Sequence, residues 1–114
     1  MVKPIVIKNT VDNTDYTLEF NKESVKFAEQ RGFKLEDVYT YPMTKLPELF
    51  FYAFRMHHKN IARDKTDKIL FEELGGIPNG MIERLAELYM QPFDCLTVLD
   101  EGEERKNSKL IVEM

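Results

Sequence analysis

The sequence predicts an α+β domain: an N-terminal β-hairpin packed on a small bundle of about four helices, with a charged C-terminal tail. Three observations predict it. Near the start, apolar and polar residues alternate in two short runs, the period of a half-buried strand. Further on, apolar residues recur at three- and four-residue spacing between capping residues, the period of a helix. The composition then shifts: residues 1–93 hold 13 basic and 14 acidic side chains, whereas residues 94–114 hold 3 basic and 6 acidic. Residues 1–93 are therefore read as one domain and residues 94–114 as an acidic tail.

In the hairpin, Ile5 and Ile7 alternate with Val6 and Lys8, while Tyr16, Leu18 and Phe20 share one face of a second strand. The polar residues 9–15 between them favour a turn. A lone hairpin is marginal in water, so its apolar face must lie on helices. Asn21 is an N-cap candidate, Phe20 and Val25 can staple the first turn, and Gly32 suits a left-handed C-cap. Residues 35–39 form a short helix that ends near Tyr41 and Pro42.

Thr44 is expected to cap the next helix, with Pro47 in its first turn. Its stripe is Leu46, Leu49, Phe50, Ala53, Phe54 and His57. Phe51, Tyr52 and Met56 carry apolar surface well round the cylinder. Such a helix either lies in the centre of a domain or shows one face to the core and another to a partner. After a charged connection over 61–65, Thr66 or Asp67 opens a helix carrying Ile69, Leu70, Phe71 and Leu74, which Gly75 and Gly76 end. Asn79 caps the last helix, with Ile82, Leu85, Ala86 and Tyr89 on one stripe, and Pro92 marks its end. Beyond Asp94 the runs at 96–99 and 110–112 either pair as a small hairpin or belong to a mobile tail.

The 114 residues suit one small domain, and 43% hydrophobic content supports a core. The net charge of −4 does not draw the chain to DNA. Cys95 is alone, which fits a reducing compartment. No secretory signal and no membrane-length apolar run is visible. The expectation is a soluble, cytoplasmic protein.

No catalytic, cofactor-binding or metal-ligating residue is expected. His57 and His58 are adjacent, about 100° apart on a helix, and no third histidine exists to complete a zinc set. The sequence instead places His57 at the end of the apolar stripe and His58 in water near the helix C-terminus, where the helix dipole favours it. The run GGIPNG follows a helix and lacks the phosphate-loop lysine, so it reads as a C-cap followed by an N-cap. Residues 55–68 hold five basic and two acidic side chains and can touch phosphates, but without a base-reading helix. Cys95 has no neighbouring base.

Four segments in order, YTLEFNKESVKFAEQRGF, ELFFYAFRMHH, TDKILFEELGG and IERLAELYMQP, lie behind a short N-terminal hairpin. In this order the chain resembles the small tail assembly chaperones of long-tailed, siphovirus-type phages and prophages of Gram-positive bacteria. The likeness spans residues 5–92 and rests on the set of segments, not on a catalytic signature. It implies a non-enzymatic protein of the host cytoplasm that binds the tape measure protein, keeps it soluble while the tail tube polymerises, and is absent from the mature virion. It also implies that a longer, frameshifted form can recruit the tail tube protein. A structural tail or connector protein retained in the virion, or a small nucleic-acid-binding regulator using residues 55–68, are the alternatives.

A helical partner of great length would need many copies along it, so a homo-oligomer is expected. Helical phase, with the preference of interfaces for aromatics and arginine, selects Phe51, Tyr52 and Arg55 as partner-binding residues, with Tyr89 beside them.

Overall fold

A computed structural model describes residues 2–10, 12–96, 110, 113 and 114. Among the described residues two strands and five α-helices follow one another: β1 (Ile5–Asn9), β2 (Thr14–Leu18), α1 (Lys22–Gln30), α2 (Asp37–Thr40), α3 (Pro42–Phe54), α4 (Arg63–Lys68) and α5 (Met81–Met90). A π-helical turn, Ile69–Glu73, continues α4, and a 3-10 turn, Gln91–Cys95, continues α5. The architecture is the α+β arrangement read from the sequence, a hairpin on a helical layer. No helix among the described residues is long and apolar enough to cross a membrane.

β1 and β2 pair antiparallel, Ile5 opposite Leu18 and Ile7 opposite Tyr16. Alternation sends Tyr16 and Leu18 into the core and leaves Val6 outside. Along an antiparallel strand, alternate residues turn their backbone groups away from the partner strand. Those of Thr17 and Glu19 face the end of α3, and the Glu19 N–H donates to the Ala53 carbonyl at 3.0 Å. Phe20 lies beyond β2 but is buried all the same. The strap before β1 is tied to α5 and the 3-10 turn. Arg84 donates to the Lys3 carbonyl through Nε at 3.0 Å and Nη2 at 2.7 Å, and the Val2 N–H donates to Gln91 Oε1 at 2.6 Å.

Asn21 caps α1 as its sequence indicates. Its side chain accepts from the Ser24 N–H at 2.8 Å, and Ser24 Oγ accepts from the Asn21 N–H at 2.9 Å, a reciprocal capping box. Gly32 ends the helix at φ 83. The Gly32 N–H reaches the Glu29 carbonyl and the Phe33 N–H reaches the Ala28 carbonyl. That pair of bonds needs a left-handed residue at Gly32, and it folds Phe33 back under α1 into the core.

Three helix starts differ from the sequence reading. α3 begins at Pro42, not after Thr44, because proline's fixed φ suits the first helical position. Pro47 therefore sits inside the helix, and the Thr44 hydroxyl donates back to the Tyr41 carbonyl at 3.3 Å. α4 begins at Arg63, earlier than Thr66, and Thr66 is buried with its hydroxyl donating to the Arg63 carbonyl at 2.9 Å. α5 is preceded by Gly80 at φ 85 rather than capped by the Asn79 side chain. The turn before α5 needs a left-handed residue at that place, and glycine takes it without strain.

The core is one cluster with α3 at its centre. Leu49, Phe50, Ala53 and Phe54 are all fully buried. Hairpin, α1, α4 and α5 all pack on α3, which is why it is apolar nearly all round. Edge-to-face contacts run from Phe20 to Tyr89 (5.0 Å), Tyr89 to Phe33 (5.5 Å) and Phe33 to Tyr52 (5.3 Å). A second set joins Tyr16 to Phe54 (5.5 Å) and Phe54 to Phe50 (5.0 Å). Such pairs are worth about 0.5–1.5 kcal/mol each beyond the area they bury. The runs at 96–99 and 110–112 lie, apart from Leu96 and Leu110, outside the described residues.

Candidate partner-binding surface

Of the four residues selected from helical phase, two reach the surface. Phe51 is half-buried, tilted against Tyr52 at 5.4 Å. Arg55 is also half-buried, its guanidinium carbon 3.6 Å from the centre of the Phe27 ring. Tyr52 and Tyr89 are core residues, 5% and 3% exposed, which corrects the expectation, drawn from helical phase, that they lie exposed for a partner. Tyr52 points between Phe27 (6.0 Å) and Phe33 (5.3 Å), and Tyr89 is enclosed by Phe20, Phe33 and Phe93. Phase around a helix fixes which side chains are neighbours, but α1 packs on the side of α3 that phase alone leaves free. Burial raises both phenol pKa values, that of Tyr89 to about 12.

The histidines exchange the places expected for them. α3 stops at Phe54, and the turn after it redirects both side chains. His58 is the half-buried one: its Nε2 accepts from the Thr17 N–H at 3.0 Å, and its ring meets Tyr16 at 5.4 Å. Burial, then the charge of His57, lowers its pKa. His57 is exposed, with Nε2 2.8 Å from Glu19 Oε1. Neither ring faces a cluster of ligands; among the described residues no three His, Cys, Asp or Glu side chains are grouped to hold a metal ion.

A groove that sequence reasoning missed lies between the start of α3 and the π turn. Pro42, Met43 and Leu46 form one wall and Leu70, Phe71 and Ile77 the other, around a volume of about 260 Å³. Met43 is 82% exposed and Phe71 55% exposed. Tyr39 and Tyr41, in the chain just before, are exposed as well. The sequence reading placed Ile69, Leu70, Phe71 and Leu74 together on one helix without dividing them between core and surface. The structure makes that division at a π turn, where the Leu74 N–H donates to the Ile69 carbonyl five residues back at 2.7 Å. Ile69 and Leu70 are buried while Phe71 and Leu74 are exposed, and the wider turn moves Leu74 off the face it would otherwise share with Leu70. No residue type announces a π turn. Gly76 and Ile77 of the GGIPNG run line the groove, so that run shapes an apolar surface.

The basic run 55–68 is divided by the fold. Arg55 and Lys59 face α1, Lys65 faces the hairpin turn, and Arg63 pairs with Asp67 at 2.9 Å. It is not one continuous stripe. Cys95 is exposed at the end of the 3-10 turn.

No curated protein and no solved structure matches this chain. One family does match, described as Domain of unknown function (DUF5055), over residues 1–114. The chain belongs to that family.

Proposed function

We propose that this protein is a non-enzymatic tail assembly chaperone of a siphovirus-type phage or prophage. It binds the tape measure protein in the host cytoplasm, keeps it soluble during tail tube assembly, and leaves before the virion is complete. The observation that carries this reading is the groove of Met43, Leu46, Phe71 and Ile77, with Met43 and Phe71 largely exposed. A domain of this size already has a complete core around α3 without those two side chains. Large apolar side chains kept outside a finished core mark a surface for a partner. An apolar groove between helices fits a helical segment laid along it, and a tape measure protein is long and helical. The order of segments over residues 5–92 supports the same family of activity. Self-association of neighbouring copies adds avidity to single weak contacts along such a partner.

The test is co-expression with a candidate tape measure protein from the same phage or prophage, followed by pull-down and light scattering. Wild type forms a complex and keeps the partner soluble. Met43→Glu with Phe71→Glu leaves the thermal transition in place and abolishes the complex, since a charge in an apolar contact costs several kcal/mol unless paired. A partner equally soluble alone, with no complex formed, overturns the proposal. So does detection of this protein in purified virions in stoichiometric amount.

A further inference from the structure

On the side of the molecule where α1 meets the turn after α3 there is a second cleft, of about 390 Å³. Lys26 lines it from α1, and Arg55 and Lys59 line it from the end of α3 and the turn beyond. Glu23 is the one acidic side chain among its lining residues. Phe27 and Met56 supply apolar surface between the charges. Arg31 adds a further cation beside it, its guanidinium carbon 4.1 Å from the centre of the Phe27 ring that Arg55 also covers. Among the described residues, none of these four cations forms an ion pair.

The arrangement is electrostatically unsatisfied. Like charges gathered from two elements repel, and the single carboxylate of Glu23 and the negative face of the Phe27 ring offset that repulsion only in part. A guanidinium held over a ring makes no hydrogen bond to it, so its N–H groups remain donors for carboxylate or phosphate oxygens. An anion entering the cleft would relieve the repulsion and gain fixed donors at small entropic cost.

We propose that this cleft docks an acidic segment of a protein partner, with carboxylates on Lys26, Arg55 and Lys59 and an apolar side chain on Met56. Three observations favour a peptide over a nucleic acid. The Phe27 face is taken by guanidinium groups, so no base can stack there. Met56 places a large apolar side chain at the cleft, which suits an amphipathic peptide. The chain's net charge of −4 repels a long polyanion, whereas a short acidic segment meets only the local positive field. The site is separate from the groove of Met43 and Phe71 and does not depend on the chaperone reading.

Binding of a short peptide of glutamate and leucine to the full chain, followed by fluorescence anisotropy, tests this. We expect saturable binding at low salt that weakens as salt rises, and none for the same peptide with glutamine in place of glutamate. Lys26 and Lys59 are exposed, so Lys26→Glu with Lys59→Glu should fold normally and bind about tenfold or more weakly, as two reversed surface charges imply. Absence of binding, or equal binding by the glutamine peptide or the double variant, overturns the proposal. Tighter binding of short double-stranded DNA, reduced by the same variant, assigns the cleft to nucleic acid instead. If Glu101→Gln, Glu103→Gln and Glu104→Gln together raise peptide affinity about tenfold, the occupant is the chain's own acidic terminus.

Discussion

The Thr17 backbone N–H donates to Nε2 of His58 at 3.0 Å. An acceptor at Nε2 must be unprotonated, so the neutral ring carries its proton on Nδ1. Two residues along, the Glu19 N–H is taken by the Ala53 carbonyl. The end of α3 thus covers the outer edge of β2 with one carbonyl and one imidazole, which closes a strand edge that would otherwise stay open.

That bond gives stability a pH dependence. The His58 pKa is lowered in the folded protein, first by burial and then by the charge of His57. The unfolded chain therefore takes up a proton at higher pH than the folded one. The stability from neutral His58 is full above the ordinary histidine value of about 6.5 and is lost as pH falls below it, towards the lower folded value. His58→Gln keeps an acceptor but cannot titrate. The midpoint of thermal unfolding should fall from pH 7.5 to pH 5 more steeply for wild type than for His58→Gln. Parallel curves would show that the contact does not sense pH.

The tyrosines act at the other end of the scale. Burial raises the pKa of Tyr52 and lifts that of Tyr89 to about 12. The folded state holds its phenol protons where the unfolded chain has released them, so stability is full below about pH 10 and is lost as pH rises from there towards 12. Tyr89→Phe should flatten this alkaline loss in a series of chemical denaturation curves.

Replacement by alanine should separate core from surface along α3. Tyr52→Ala removes a ring enclosed by Phe27 and Phe33 and should cost about 3–5 kcal/mol, as large aromatic truncations do. Phe51→Ala, half-buried, should cost clearly less. Equal losses in denaturant titration would place Phe51 in the core as well.

Truncation after Leu96 is expected to leave a cooperative transition within a few degrees of the full chain. The core among the described residues is built by side chains up to Phe93, which rests on Tyr89 at 6.0 Å. A loss of about 1 kcal/mol moves a domain near this size by roughly 4–8 °C. A molten product would place residues 97–114 in the core.

The α+β class, the hairpin faces, the Asn21 cap and the Gly32 stop are all determined by local pattern. Strand alternation, capping chemistry and a left-handed glycine act over a few residues, so they can be read along the chain. The fate of Tyr52, Tyr89, His57, His58 and Phe71 was decided only by tertiary structure. Tyr52 and Tyr89 are buried because α1 and Phe33 fold over them, and His58 turns inward because β2 offers it an N–H from 41 residues away. Phe71 stays outside because no other element among the described residues packs over that face, and Leu74 joins it because one π turn, with no signature in residue type, shifts the phase of the residues after it. Contacts between distant segments, not periodicity within one, choose which apolar surface is core and which is left to a partner.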